Sequence, residues 1–407
     1  MDGRGRAAER LGPGERRGPA GGAALLAAGA LLAAGFLGGA RPARAQDAGQ
    51  EDQGPTVRIG GLLRTGLLVG PRDFGEKDGF RIHDARLRAT GKIGIVFDYK
   101  LQAAFDQSTD RVRLLDAELS LPIKPGLALS LGQFKAPFGG EELMGKGEIT
   151  FLERAQIDQL LVPGRQVGVQ ASGSFLEDRL TYRAGMFNGN GRSLQNDDGR
   201  FLYAAHVQFN NVGPVEFYED LMVQAGASFA FSRDSAVDLT HGGDFVGGPI
   251  ALEGFRGDRT LVAVDLKSSY RGFFLRGEYM HGSLDPAGEV LCAPADLACQ
   301  AGANALASHG VDGGYAETGY DYLGAIEGVA RLDAMTKNFL FAPDTGPGGT
   351  TAVGGNFLVL GVNLFPGYHT KLGLQYALGL GDTHLGPTSG GPPLADGQFA
   401  FTAQVDF

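Results

Sequence analysis

The amino-acid sequence predicts an all-β fold, a transmembrane antiparallel up-and-down barrel of about 16 strands with one inward-folded constriction loop. Three observations carry this reading. Apolar and polar residues alternate at period two. The alternating segments run to about 10–13 residues, against about 5–6 for strands of ordinary sheets. The connections alternate between long and short. At the C-terminus Phe399, Phe401, Ala403, Val405 and Phe407 share one face, and Gln398, Ala400, Thr402, Gln404 and Asp406 share the other. Over 95–106, Ile95, Phe97, Tyr99, Leu101, Ala103 and Phe105 oppose Asp98, Lys100, Gln102 and Asp106. One face suits lipid and the other water. A β-sandwich alternates as well, but it has no reason to sort its loops by parity.

In chain order, strands are expected at 56–69, 80–92, 95–106, 112–121, 127–135, 165–175, 179–187 and 200–210, then at 222–232, 259–270, 273–282, 313–322, 325–334, 354–364, 367–380 and 397–407. The first, third and fifth connections, and so on, are mostly long and polar, as at 70–79, 136–164 and 233–258. Those between are mostly short, as at 93–94, 122–126 and 271–272; the exception, 211–221, contains Pro214 and suits a short helix. Within 80–92, Phe80 and Ile82 share parity with Arg86 and Arg88, so the face must switch near Asp84.

Residues 1–45 differ from the rest. Arg4, Arg6, Arg10, Arg16 and Arg17 precede an apolar run from Ala20 to Leu37, followed by Ala43-Arg44-Ala45. That arrangement is the pattern of a secretory signal peptide cleaved after Ala45; the run, broken by Gly35, Gly38 and Gly39, is a marginal membrane anchor. A short extension, 46–55, then leads into the barrel, 56–407. The mature chain keeps 29 basic and 43 acidic residues, a charge of -14, so nucleic acid is not an expected partner. Past Leu37 no apolar run reaches helix-spanning length, so any crossing of a membrane must be made by a closed barrel.

The connection 136–164 holds too many apolar residues for a solvated loop: Leu143, Met144, Ile149, Phe151, Leu152, Ile157, Leu160 and Leu161. Folding inward against the barrel wall would bury them and leave Lys146, Glu148, Glu153, Arg154 and Asp158 facing the lumen. Packing outward on a neighbouring subunit is the alternative. Basic residues on inferred inward faces include Arg64, Arg86, Arg88, Lys100, Arg183, Arg276, Arg331 and Lys371, and acids such as Asp116, Glu118, Asp265, Glu278 and Asp333 share those faces. Rings of one sign select ions of the other; with both signs present, these residues read as a solvated lumen wall.

Cys292 and Cys299 share one long loop of an exported chain, which favours a disulfide over two free thiols or a metal site completed by His309. The Asn/Asp-rich loop at 188–199 offers oxygen ligands for calcium, although ordinary turn chemistry explains the same residues. Phosphate-loop, zinc-protease and serine-hydrolase signatures are missing from the sequence, and no cofactor or metal is expected.

The phrases "GQFKAPFG" from Gly132, "EITFLERAQIDQLLVPGRQVGVQASG" and "LTYRAGMFNGNG", in that order, resemble the phosphate-selective porin O/P family, most densely over 130–192. The resemblance implies an outer-membrane porin, a homotrimer of sixteen-stranded barrels whose third outer loop folds inward, with lipid around it and small hydrophilic solutes or anions passing through. It carries over Lys135, Arg154 and Arg165 as selectivity residues. The acidity of the mature chain and the crowding of Glu141, Glu142, Glu148 and Glu153 in the loop depart from a phosphate-specific pattern. Alternatives in other classes are a barrel enzyme or adhesin working through its outer loops, and a soluble secreted β-sandwich.

Overall fold

The computed structural model describes residues 55–70, 78–94, 96–106, 111–196, 198–210, 221–237, 255–286, 309–335, 342–343, 350–351, 355–380 and 397–407. The expected signal peptide, nearly all of the extension, Cys292 and Cys299 lie outside these residues, as does the expected helical stretch after 210.

Sixteen strands close into one antiparallel barrel: β1 (Arg58–Val69), β2 (Gly79–Ile93), β3 (Phe97–Asp106), β4 (Arg111–Lys124), β5 (Leu127–Lys135), β6 (Arg165–Phe175), β7 (Leu180–Phe187), β8 (Leu202–Asn210), β9 (Met222–Val237), β10 (Phe255–Tyr270), β11 (Phe273–Pro286), β12 (His309–Tyr322), β13 (Ile326–Met335), β16 (Asn356–Gly367), β17 (Thr370–Leu380) and β18 (Gln398–Asp406). A two-residue pair, β14 (Ala342–Pro343) with β15 (Thr350–Thr351), lies in the connection after β13. Each barrel strand pairs with its neighbours in sequence, and β1 closes on β18, where Gly61 and Phe407 exchange backbone hydrogen bonds of 2.7 and 3.0 Å. Closure leaves no unpaired edge, the condition for β-structure in lipid.

All sixteen expected strands are present, with ends shifted by a few residues and β9, β10 and β11 longer than expected. Short turns sit at one end. The β10–β11 turn needs only Arg271 and Gly272, both with positive φ (47° and 86°), the geometry whose twist suits a two-residue hairpin.

Outward faces carry large apolar side chains open to the surroundings, among them Leu101, Leu131, Val264 and Leu275. Inward faces carry the polar set. The switch expected in the second strand is a β-bulge: Arg64 opposes Asp84 and Thr65 opposes Ile82, so His83 has no partner in the ladder. Phe80 and Ile82 therefore stay exposed outside, while Asp84 and Arg86 are carried inside.

Deleting His83 removes the unpaired residue and should give a plain register in which Ile82 still opposes Thr65, so that Phe80 and Ile82 stay outward and Arg81 inward. We expect the denaturant midpoint of barrels in lipid to change little. A fall of about 2 kcal/mol, the scale for an arginine turned toward lipid, would show that the faces had inverted and that the bulge does not set them.

Candidate functional site: the loop-lined lumen

The connection between β5 and β6 leaves the barrel wall cleanly. Lys135 still pairs with Arg165, and Ala136 N–H donates to the Gly164 carbonyl at 2.9 Å. The chain then bends inward at Gly139, whose φ of 83° favours glycine. At the next residue a Cβ would stand 2.6 Å from the Asp265 carboxyl carbon, so Gly140 is what lets the backbone press against the wall. Two short helices follow, α1 (Gly140–Leu143) and α2 (Gln156–Leu161).

The loop lies inside the barrel. Ile149, Phe151, Leu152, Ile157 and Leu161 are buried, and most join Met280, Val311, Tyr315, Val329, Phe357 and Val359 of the wall in one cluster. Full burial of such side chains is worth roughly 1.5–3 kcal/mol each. The wall makes room with glycines: Ile157 stands over Gly313 and Phe151 over Gly361. The outward-packing alternative is thereby set aside.

Burial also strips the loop backbone of water, and the wall replaces it. Arg64 donates to the Leu152 carbonyl at 2.7 Å, Lys371 to Ile149 at 2.7 Å, Arg331 to Glu153 at 3.0 Å, Asn363 to Thr150 at 3.2 Å and Gln404 to Gly147 at 2.9 Å. In the other direction, Glu278 accepts the N–H groups of Gly140 and Glu141 at 2.7 and 3.0 Å, and Gln375 accepts Leu152 N–H at 2.8 Å. Arg331 also pairs with Asp333 at 2.9 Å and stands 4.8 Å over the Phe151 ring. Arg64, Arg331 and Lys371 are thus buried donors to the loop, which corrects their reading as solvated lumen wall.

Inside the loop, Arg154 donates to the carbonyls of Glu141 and Met144 at 3.1 and 2.7 Å and pairs with the Glu142 carboxylate at 3.2 Å. Asp158 is fully buried. Its Oδ1 accepts Glu142 N–H at 3.2 Å and its Oδ2 has no hydrogen-bond partner. Burial, and then the carboxylates of Glu278 and Glu141, hold its pKa well above the ordinary range. Lys146 pairs with Glu153 at 2.6 Å, and burial pushes its pKa down against the pull of Glu153.

The loop covers the wall from β9 round to β1 and leaves free the arc from β2 to β7. Between that arc and loop residues 143–148 remains a cavity of about 490 Å³. Arg86, Arg88, Lys100, Lys135, Lys146, Arg165 and Arg183 line it, opposed by Asp116, Glu118, Glu148 and Asp406. The opening of an acidic protein is therefore lined by seven cations and four anions.

Of the expected constriction residues, Lys135, Lys146, Glu148 and Arg165 reach the opening. Glu153, Arg154 and Asp158 are not among its lining: Arg154 and Asp158 lock the loop from within, and Glu153 stands behind Lys146. Arg86, Arg88, Lys100 and Arg183 line the opening as expected, whereas Arg276 lies beneath the loop, 2.9 Å from Thr150 Oγ1. Sequence reasoning missed Asp84, which pairs with both Arg64 and Arg86; the face switch beside it was the available signal. Lys135 also donates to the Glu142 carbonyl and, at 2.8 Å, to that of Met144, so it both holds the loop and borders the opening.

In the 188–199 loop, the Asn196 side-chain Oδ1 accepts the N–H groups of Asp198 and Gly199 at 3.1 and 2.6 Å, the turn chemistry set against a calcium reading. Ser193 N–H reaches Gln133 at 2.6 Å, which ties this loop to the inner wall. Among the described residues no group of three potential metal ligands comes together.

A closed sixteen-stranded barrel with a loop folded into a charged lumen defines a porin-type architecture. The profile of the family described as phosphate-selective porin O and P matches residues 68–228, somewhat under half of the chain and spanning the loop and its flanking strands. Similar solved structures include the trimer form of OmpT, an outer membrane protein of Vibrio cholerae (14% identity, 87% of this chain and 100% of that chain, TM-score 0.55). An anion-selective porin from Comamonas acidovorans is similar over 87% of this chain and 100% of its own (12% identity, TM-score 0.54). OmpF of Salmonella typhi, in complex with daunomycin, is similar over 87% of this chain and 98% of its own (11% identity, TM-score 0.55). No curated protein matches the chain in sequence.

Arg331 also stands 3.8 Å from the Glu141 carboxylate, so Arg331→Met should leave Asp333 and Glu141 without their buried partner, at a cost of about 3 kcal/mol. Faster tryptic cleavage within 145–155 of the folded barrel would report the released loop; an unchanged rate would show that Arg331 is not an anchor. Because the raised pKa of Asp158 favours its neutral form in the docked loop, the contribution of Asp158 to docking is largest at low pH. It should weaken as pH rises above the unfolded value of about 4. Hydrogen exchange of the loop amides followed against pH should show this slope in the wild type and lose it in Asp158→Asn.

Proposed function

We propose that the protein is an outer-membrane porin, a water-filled channel through which small hydrophilic solutes and ions, anions such as phosphate among them, diffuse down their gradients. The single observation that carries this is the polar opening left between the inward loop and the β2–β7 arc, with its cationic majority. Transport through it requires no catalytic step: the loop sets the size that passes, and the lining charges bias the sign. Lys135, Lys146, Glu148 and Arg165 border the narrowest part by this reading, with Arg86, Arg88, Lys100 and Arg183 on the facing wall. The family match at 68–228 and the anion-selective porin among the similar structures support it.

The same reading makes residues 1–45 the export signal, Cys292–Cys299 a disulfide of an outer loop, and the assembly a homotrimer in lipid. The last is supported by the trimer form of the Vibrio cholerae protein. A barrel enzyme is the competing reading, and one pair bears on it: His206 Nδ1 lies 2.8 Å from Ser228 Oγ. Both residues are buried, and Ser228 accepts the loop's Gly139 N–H at 3.1 Å, so the pair holds the loop rather than meeting a substrate.

Arg88 and Arg183 line the opening and make no ion pair among the described residues, so they carry the bias most directly. In planar bilayers under a salt gradient, the reversal potential should indicate anion preference. Arg88→Ala/Arg183→Ala should lower the anion-to-cation permeability ratio by about threefold or more, the effect of charges within about 6 Å in a water-like medium. A purified wild type that forms no channels would sink the proposal.

A further inference from the structure

Asp116 of β4 is almost wholly buried, yet it borders the opening. Its Oδ1 accepts Arg165 Nε at 2.8 Å and its Oδ2 lies 3.5 Å from Arg165 Nη2, while Lys100 Nζ stands 2.8 Å from Oδ2. A guanidinium edge and an ammonium converging on two oxygens is the geometry with which proteins bind a carboxylate or phosphate ligand. Here the protein supplies the anion itself. Gln102 opposes Asp116 across the ladder and Lys100 opposes Glu118, so this part of the wall brings no further cation against the carboxylate.

We infer that Asp116 is a resident anion that occupies a Lys100–Arg165 fork at the opening, and that it determines specificity by keeping the channel from becoming a tight anion site. This rests on the channel reading. Lys100 and Arg165 then lie in the opening with one of their two charges cancelled, and solutes meet chiefly Arg88 and Arg183. A small oxyanion passes without a preformed pocket in which to lodge, so the substrate class is broad: small anions and neutral hydrophilic solutes rather than one tightly held oxyanion. Removing the carboxylate while keeping its shape would uncover the fork.

The test is Asp116→Asn, reconstituted as the full chain in planar bilayers and compared with wild type in potassium chloride, with inorganic phosphate titrated in. The variant should raise the anion-to-cation permeability ratio about threefold, as expected for one charge within about 6 Å of the permeation path. It should also make chloride current sensitive to phosphate at concentrations at least about tenfold below any that affect wild type, since charge-assisted bonds to an exposed fork strengthen oxyanion binding. A merely structural role for Asp116 would alter yield or channel lifetime and leave both readouts where they were. If Asp116→Asn fails to assemble, Lys100→Met, which leaves Asp116 with Arg165, should move the ratio the other way by about twofold. Wild-type channels whose ratio and phosphate response match those of Asp116→Asn, or a Lys100→Met ratio that does not fall, overturn the inference alone. A wild type that forms no channels overturns the channel reading and the inference with it.

Discussion

A backbone segment folded into a barrel loses its water, and every carbonyl and N–H it buries must find a partner among the wall's side chains. That requirement organises the lumen. Arg64, Arg331, Lys371, Asn363 and Gln404 donate to loop carbonyls, and Glu278 and Gln375 accept its amides. These side chains come from β1, β11, β13, β16, β17 and β18, and their common target fixes where the loop lies. Apolar packing of Ile149, Phe151 and Ile157 on the same wall supplies the attraction; the polar bonds supply the register.

The opening follows as a remainder. Because donors and glycine sockets are concentrated on one side, the loop is held there, and the β2–β7 arc keeps its polar side chains in the lumen. The overall charge of -10 is thus a poor guide to the opening, where cations outnumber anions seven to four. Many of the protein's acids serve other purposes: Glu278 and Asp333 engage the loop or its anchors, and Asp84 orients Arg64 and Arg86.

Charge in the lumen is consequently of two kinds. Buried ions such as Arg331 and Arg154 are matched by carboxylates and carbonyls and serve to hold the chain, since an unmatched charge there would be strongly unfavourable. Ions bordering the opening range from Arg88, free of ion pairs among the described residues, to Asp116, shared by two cations. Position along that range, more than the count of arginines, sets the local field in the opening.

The barrel was legible in the sequence because alternation is a local property: residues i and i+2 share a face whatever else the chain does, so all sixteen strands could be placed from composition and parity. The face switch beside Asp84 was legible for the same reason, since an outward Phe80 and an inward Arg86 of equal parity demand a bulge. The inward loop was legible through its excess of apolar residues. Which of the loop's ions face solvent was not. Arg154 and Asp158 look like Lys146 and Glu148 in sequence, and only the close approach of segments more than a hundred residues apart, such as Glu278 onto Gly140, decides which are buried. Likewise, no periodicity marks Arg331 as an anchor, Arg88 as a lining residue or Asp116 as a shared counter-ion. Those roles are assigned by which side chains meet across the lumen, and that depends on the closed tertiary structure.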